Sequence, residues 1–239
     1  AGGSSNIRLI GAGTDDQASV QVNTDAGISI VSFENTVRAA DGFCTFPHGL
    51  GAIPDMVWLK SRTSANYWAI NHISEGLKLG FLGGDGIGDD AWVSSTFWNT
   101  ITSSTVKFQS NGNLSATDED IIAYCFKGIE GYSKIGSYLA NANADGTFIY
   151  TGFQPAWVII KQTNGTSNWN IYDNTRITFN GNDLELYADL NNAEADSGRD
   201  IDFLSNGIKL RSVNYMNVSS GTYIYMAFAE APFKYANAR

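Results

Sequence analysis

"PAWVIIKQTNGTSNWNIYD", residues 155–173, repeats a pattern that residues 54–72, "PDMVWLKSRTSANYWAINH", have already set out. At a constant offset of 101 with no gap, Pro54/Pro155, Val57/Val158, Lys60/Lys161, Trp68/Trp169 and Ile70/Ile171 coincide, five identities in 19 positions. Each copy reads as a β-branched and aromatic strand, a Ser/Thr/Asn/Gly turn and a second strand, with Pro closing the preceding loop. At an offset of 102 the correspondence resumes with Lys107/Lys209, Ser110/Ser212, Ile122/Ile224 and Phe126/Phe228. The order of elements is therefore kept over about a hundred residues, too few copies for a solenoid and enough for two related halves.

Outward from these copies the strand signal dominates. "ASVQV", "ISIVSF", "TVKFQ", "DIIAYCF", "TFIYTGF", "DLELYA", "IKLRS" and "TYIYMAFAE" are short apolar or alternating runs bounded by Gly, Asn, Asp and Ser. The strongest helical candidate, "DLNNAEADSGRDIDFLS" (residues 189–205), has no sustained apolar stripe and reads as a polar loop. No spacer offers the crossover helix that parallel strands require. The expected fold is all-β, an antiparallel β-sandwich of jelly-roll or lectin-like kind built from two pseudo-repeated halves. Residues 1–26 are expected to be a connector or first strand, 27–130 the first β repeat and 131–239 the second, with 27–239 as one compact unit left open.

Composition limits the function. Of 239 residues, 43% are hydrophobic and 13% aromatic, but only 16% are charged, against about 25% in an average domain. A net charge of -9 argues against tracking a phosphate backbone, so nucleic acid is not an expected partner. No apolar run approaches 18 residues, so membrane insertion through a helix is not expected either. Two cysteines, Cys44 and Cys125, make no disulfide scaffold, and Cys125 inside "IIAYCF" reads as a buried thiol.

Chemistry-bearing motifs are sparse. His48 in "FPHGLG" reads as a turn residue, and His72 aligns with Asp173. No G-x-S-x-G elbow is present, and no catalytic residue is assigned. The most site-like stretch is "GFLGGDGIGDDAW", residues 80–92. Asp85, Asp89 and Asp90 on a Gly-rich loop offer hard oxygen ligands that would suit Ca²⁺, although the spacing is not that of an EF-hand; a plain acidic loop is the competing reading. Trp92 and Trp98 flank this loop's end, and Tyr67 faces Asn168 in the repeat alignment. These aromatics with the Asp85, Asp89 and Asp90 carboxylates form the expected ligand-binding set, mixing ring faces and hydroxyl-binding acids as a sugar site does; packing of both Trp92 and Trp98 against a sandwich edge is the competing reading. Trp68 and Trp169, which recur, are expected in the core; Lys60 and Lys161 are expected to carry solvated heads on buried stems. Sequons occur at Asn113, Asn164 and Asn217.

The strings "EGYSKIGSYLANANADGTFIYTGFQPAWVIIKQTNGTSNWNIYDNTR", "IDFLSNGIKLRS", "GTYIYMAFAEAPFKYANAR" and "GLGAIPDMVWLKSRTSANYWAINH" resemble an uncharacterised family of tailed-bacteriophage structural proteins, abundant in marine phages. The resemblance covers roughly residues 27–239 and carries no catalytic motif across. It implies a tail-fibre-like C-terminal module of a virion appendage, outside the cell, with a host bacterial surface glycan or protein as partner and a homotrimer as the assembly. A non-enzymatic adhesin is the leading expectation. A purely structural decoration or oligomerisation module is the alternative, and a polysaccharide depolymerase is a third.

Overall fold

The computed structural model describes residues 3–8, 17–35, 42–83, 90–110, 118–177, 180–213 and 215–231. The chain divides into a first unit, residues 1–82 and 93–127, and a second, residues 83–92 and 128–239. All paired strands are antiparallel, and the one helical element is a single 3₁₀ turn, Ile73–Glu75, among the described residues.

The first unit holds β1 (Gly3–Arg8), β2 (Gln17–Asn23), β3 (Ile28–Glu34), β4 (Phe43–Pro47), β5 (Met56–Ser61), β6 (Trp68–His72), β7 (Gly80–Leu82), β8 (Trp98–Ile101), β9 (Thr105–Gln109) and β10 (Asp120–Phe126). They form a seven-stranded sheet in the order β1-β2-β3-β10-β5-β6-β7 and a three-stranded sheet in the order β4-β9-β8. Alternation of side chains along β3, β9 and β10 buries every second residue, as a sheet with one packed face requires. The packed faces meet in one core: Phe33 of the larger sheet stacks on Phe46 of the smaller at 5.0 Å and tilts against Phe108 at 6.0 Å. This is a β-sandwich. Cys44 and Cys125 are both free thiols within it, and burial pushes the Cys125 thiol up.

The second unit holds β11 (Ser133–Leu139), β12 (Phe148–Tyr150), β13 (Pro155–Gln162), β14 (Asn170–Asp173), β15 (Asn182–Tyr187), β16 (Ala195–Leu204), β17 (Gly207–Leu210) and β18 (Thr222–Ala229). Here one eight-stranded sheet runs β11-β18-β13-β14-β15-β16-β17-β12, because β15 pairs with β16. Its two ends share a core in which Val158, Ile160, Tyr172, Tyr223 and Tyr225 join Ile149, Ile201, Phe203, Ile208 and Leu210. The polar loop expected over residues 189–205 is corrected: residues 195–204 are the longest strand. Ile201 and Phe203 enter the core on alternate positions, a period-two signal that the surrounding Asp and Gly residues dilute.

The pairing order of one unit recurs in the other. The run β3-β10-β5-β6-β7 has its counterpart in β11-β18-β13-β14-β15, and β4-β9-β8 in β12-β17-β16. Registers agree as well: Met56 faces His72 as Trp157 faces Asp173, and Val57 faces Cys125 as Val158 faces Ala227. One turn beyond, the Ile73 N–H donates to the Asp55 carbonyl and the Asn174 N–H to the Ala156 carbonyl, both at 2.9 Å.

Matched lysines clamp the matched hairpins. Lys60 Nζ donates to the carbonyls of Asn66 (2.5 Å) and Ser64 (3.2 Å), and Lys161 Nζ donates to the Ser167 carbonyl. The expectation of a solvated Lys161 head is corrected: Lys161 is 0% exposed, and its ammonium satisfies a turn carbonyl that would otherwise be buried without a donor. Trp169 is buried as expected, whereas Trp68 is half-buried, edge-on to Trp58 at 6.2 Å.

Candidate functional site

Asp85 and Asp89 lie outside the described residues, and Asp90 is exposed. Among the described residues no group of three or more His, Cys, Asp or Glu is placed to hold a metal ion. Trp98 is 1% exposed, T-shaped against Phe97 at 5.0 Å, with its indole N–H donating to the Ile70 carbonyl at 3.3 Å. It offers no ring face at the surface. Trp92 is 6% exposed; its backbone N–H donates to the Thr163 carbonyl at 2.8 Å, while its indole nitrogen is buried without a partner. Tyr67 is half-buried against the first core. Trp92 thus belongs to the second unit, and Tyr67 and Trp98 to the first.

The histidines and sequons also find structural places. His48 is fully buried; Nδ1 accepts from the Leu50 N–H (3.3 Å) and Nε2 faces the Thr102 carbonyl (3.2 Å), with Gly49 at φ +70° turning the chain between them. Burial lowers its pKa, partly offset by the Thr102 carbonyl. Asn217 is buried and donates to the Asn141 side chain and the carbonyls of Asn143 and Ser212, so it is a tie between loops. Asn164 is exposed, and Asn113 lies outside the described residues.

A cleft in the second unit, of about 610 Å³, assembles the most site-like surface. Gln154 from the turn before β13, Asn174, Thr175, Ile177 and Asn180 from the β14–β15 connection, Phe203 of β16 and Glu230 just past β18 line it. Backbone bonds fix this rim: the Glu230 N–H donates to the Gln154 carbonyl and the Asn174 N–H to the Ala156 carbonyl, each at 2.9 Å. Asp173 Oδ1 accepts from the N–H groups of Thr175 (3.0 Å) and Arg176 (2.9 Å), an Asx turn that projects Thr175 outward. Asn180 Oδ1 accepts from the Phe203 N–H at 3.1 Å, which ties the connection to β16.

Charge is arranged around the cleft in a definite way. Arg176 donates to Asp173 Oδ2 (2.5 Å) and Glu194 Oε2 (2.6 Å). Burial opposes ionisation of Asp173, but the hydrogen bonds and charge of Arg176 outweigh it and hold the carboxyl below its usual range. The Arg176 charge is therefore neutralised by two acids, although its Nη2 is buried without a partner. Among the described residues, the side chains of Gln154, Asn174, Thr175 and Glu230 make no hydrogen bond or ion pair. Such unspent amides, a hydroxyl and a carboxylate around Ile177 and the Phe203 ring match the mixed polar and apolar lining of small-ligand sites.

The sequence conceals this cleft because its residues come from four separated segments. One signal was present: the positions matched to Gln154 and Asn174 at the offset of 101 are Ile53 and Ile73, so the copies differ where the cleft lies.

No curated protein and no solved structure matches the chain. The profile of a family described as a domain of unknown function, DUF7483, matches residues 9–232. That match runs almost end to end, and the chain belongs to the DUF7483 family.

Proposed function

We propose that this chain is a non-enzymatic recognition module of a phage virion appendage, tail-fibre-like and displayed outside the cell, which binds a glycan or protein of the host bacterial surface. The observation that carries the reading is the cleft of the second unit, where the polar Gln154, Asn174, Thr175, Asn180 and Glu230 line the wall together with Ile177 and the edge of the core at Phe203. Hydroxyl-rich ligands need paired donors and acceptors, which amides supply, and an apolar wall for their C–H faces. Glu230 is the carboxylate this lining presents among the described residues, whereas glycoside hydrolysis works through two carboxyl groups about 5–9.5 Å apart. Holding a sugar suits the cleft better than cleaving one.

The shared pairing order supports a second element of the reading, that the two units are copies of one duplicated sandwich. One copy then keeps the scaffold while the other is free to vary its loops for recognition. A structural role in oligomerisation is the second reading; it is favoured by β12, a sheet-edge strand whose Tyr150 is 63% exposed beside an exposed Phe148.

Binding of the fluorescently labelled protein to a panel of marine bacteria tests the proposal, with and without chelator and with purified surface polysaccharides as competitors. Saturable, strain-selective binding that leaves the polysaccharide chain length unchanged is expected. Binding to no strain supports the structural reading, and shortening of the polymer supports a depolymerase. Loss of binding on chelation shows that a divalent cation takes part and makes the segment that contains Asp85, Asp89 and Asp90 the lead candidate for holding it.

A further inference from the structure

The reading of the cleft as a glycan site raises the question of which glycans it admits. Glu230 is exposed, and among the described residues it is the one charged residue that lines the cleft and has no cationic partner. The nearest basic residue in sequence to the rim, Arg176, lies between Thr175 and Ile177 but already serves Asp173 and Glu194. Among the described residues, no cation of the lining is therefore available to compensate an acidic ligand. The chain as a whole carries a net charge of -9, which adds to the same bias.

The polar lining is also not something the backbone demands. At the equivalent position of the first unit, set by the same hydrogen bond one turn beyond the paired strands, Ile73 replaces Asn174 and is 49% exposed. Ile53, opposite Gln154 in the alignment, is 46% exposed. The scaffold thus accepts isoleucine at both places. Gln154 and Asn174 are chemistry added to a frame that folds without them.

We infer that the cleft of the second unit selects neutral or amino-bearing saccharides and rejects anionic ones, with Glu230 as the specificity-determining residue. In this arrangement the amides of Gln154, Asn174 and Asn180 and the Thr175 hydroxyl bind ring hydroxyls. Ile177, half-buried in the lining, receives a C–H face. Glu230 accepts from a hydroxyl pair or an ammonium group. A uronate or sialate carboxylate in the same place meets an uncompensated like charge, and like-charge juxtaposition is an effective way to exclude a ligand.

The test uses three tetrasaccharides of one linkage and one ring configuration that differ in charge: β-1,4-linked glucose, glucosamine and glucuronate. Their affinities for the intact chain are measured by calorimetry at low salt and again for Glu230→Gln and Glu230→Lys, each checked for an unchanged melting curve. The glucosamine tetramer is expected to bind at least tenfold more tightly than the glucuronate tetramer, with the glucose tetramer between them. Glu230→Gln should narrow that spread to about threefold, and Glu230→Lys should reverse the order. A preference of the unaltered chain for glucuronate, a spread indifferent to both substitutions, or binding of none of the three overturns the inference. Strain-selective cell binding by the same preparation would in those cases leave the recognition reading standing, so the two failures are told apart.

Discussion

Lys161 brings a formal positive charge to a site with 0% exposure, where its Nζ holds the Ser167 carbonyl across the β13–β14 turn. Lys60 does the same work in a half-buried position, and burial lowers its pKa, with Glu119 opposing. Removing the buried clamp strips both packing and a donor from a sealed carbonyl. Lys161→Ala is expected to lower stability in urea by about 2–4 kcal/mol, and Lys60→Ala by about 1 kcal/mol, because water can replace the latter ammonium. Equal losses would contradict this account. His72 makes a pH-dependent counterpart. It is fully buried, its Nδ1 accepts from the Ser74 N–H at 3.2 Å, and its Nε2 has no partner. Burial lowers its pKa from 6.5 to about 4, against the opposing influence of Glu75 and Asp55. Between those values the unfolded chain binds the proton that the folded chain refuses, so stability falls as pH drops from about 6.5 to 4, by roughly 3 kcal/mol in all. His72→Asn keeps an acceptor for the Ser74 N–H and removes the titration. The urea midpoint of this variant should fall less steeply over that window, and an unchanged slope would remove His72 as the cause.

At the scale of elements, close strand approach constrains β17 more than its composition suggests. A Cβ on Gly207 would stand 2.3 Å from the Ile149 carbonyl oxygen and 2.8 Å from the Phe148 ring, in a strand that pairs with β12. Gly207→Ala should therefore cost about 1–3 kcal/mol, mostly through the backbone clash, whereas Gly51→Ala meets no atom within 4 Å and is strained only by its φ of +71°. A Gly207→Ala protein of unaltered stability would refute the pairing. Strands such as β3, β10 and β18 were legible in the sequence because alternation and β-branching are local properties. The strand β16 was not, since Asp196, Gly198, Asp200 and Asp202 obscure a period that only Ile201 and Phe203 declare. Trp98 was misleading for a related reason: an aromatic beside an acidic loop looks like a sugar platform, yet its place on β8 points the ring into the first core. The cleft escaped detection because residues 154, 174, 203 and 230 converge only after the second sheet has formed.

At the scale of the whole molecule, the two units share a strand-pairing order, and the cleft lies in the second. On the proposed recognition reading, an open cleft of this kind gives modest affinity, and adhesion would rely on several copies acting together. A homotrimer, the assembly that the sequence resemblance implies, would raise avidity by about two to four orders of magnitude without a new contact. Sedimentation of the protein is accordingly expected to report a homotrimer, and a monomer would contradict multivalent adhesion. The central claim, that recognition resides in the cleft of the second unit, is tested most directly by importing the first unit's own residues, as the double variant Gln154→Ile/Asn174→Ile. Ile53 and Ile73 show that this backbone tolerates both side chains at the surface. The account predicts a melting temperature within a few degrees of the unaltered protein and cell binding reduced at least tenfold; full binding by the folded double variant would contradict it.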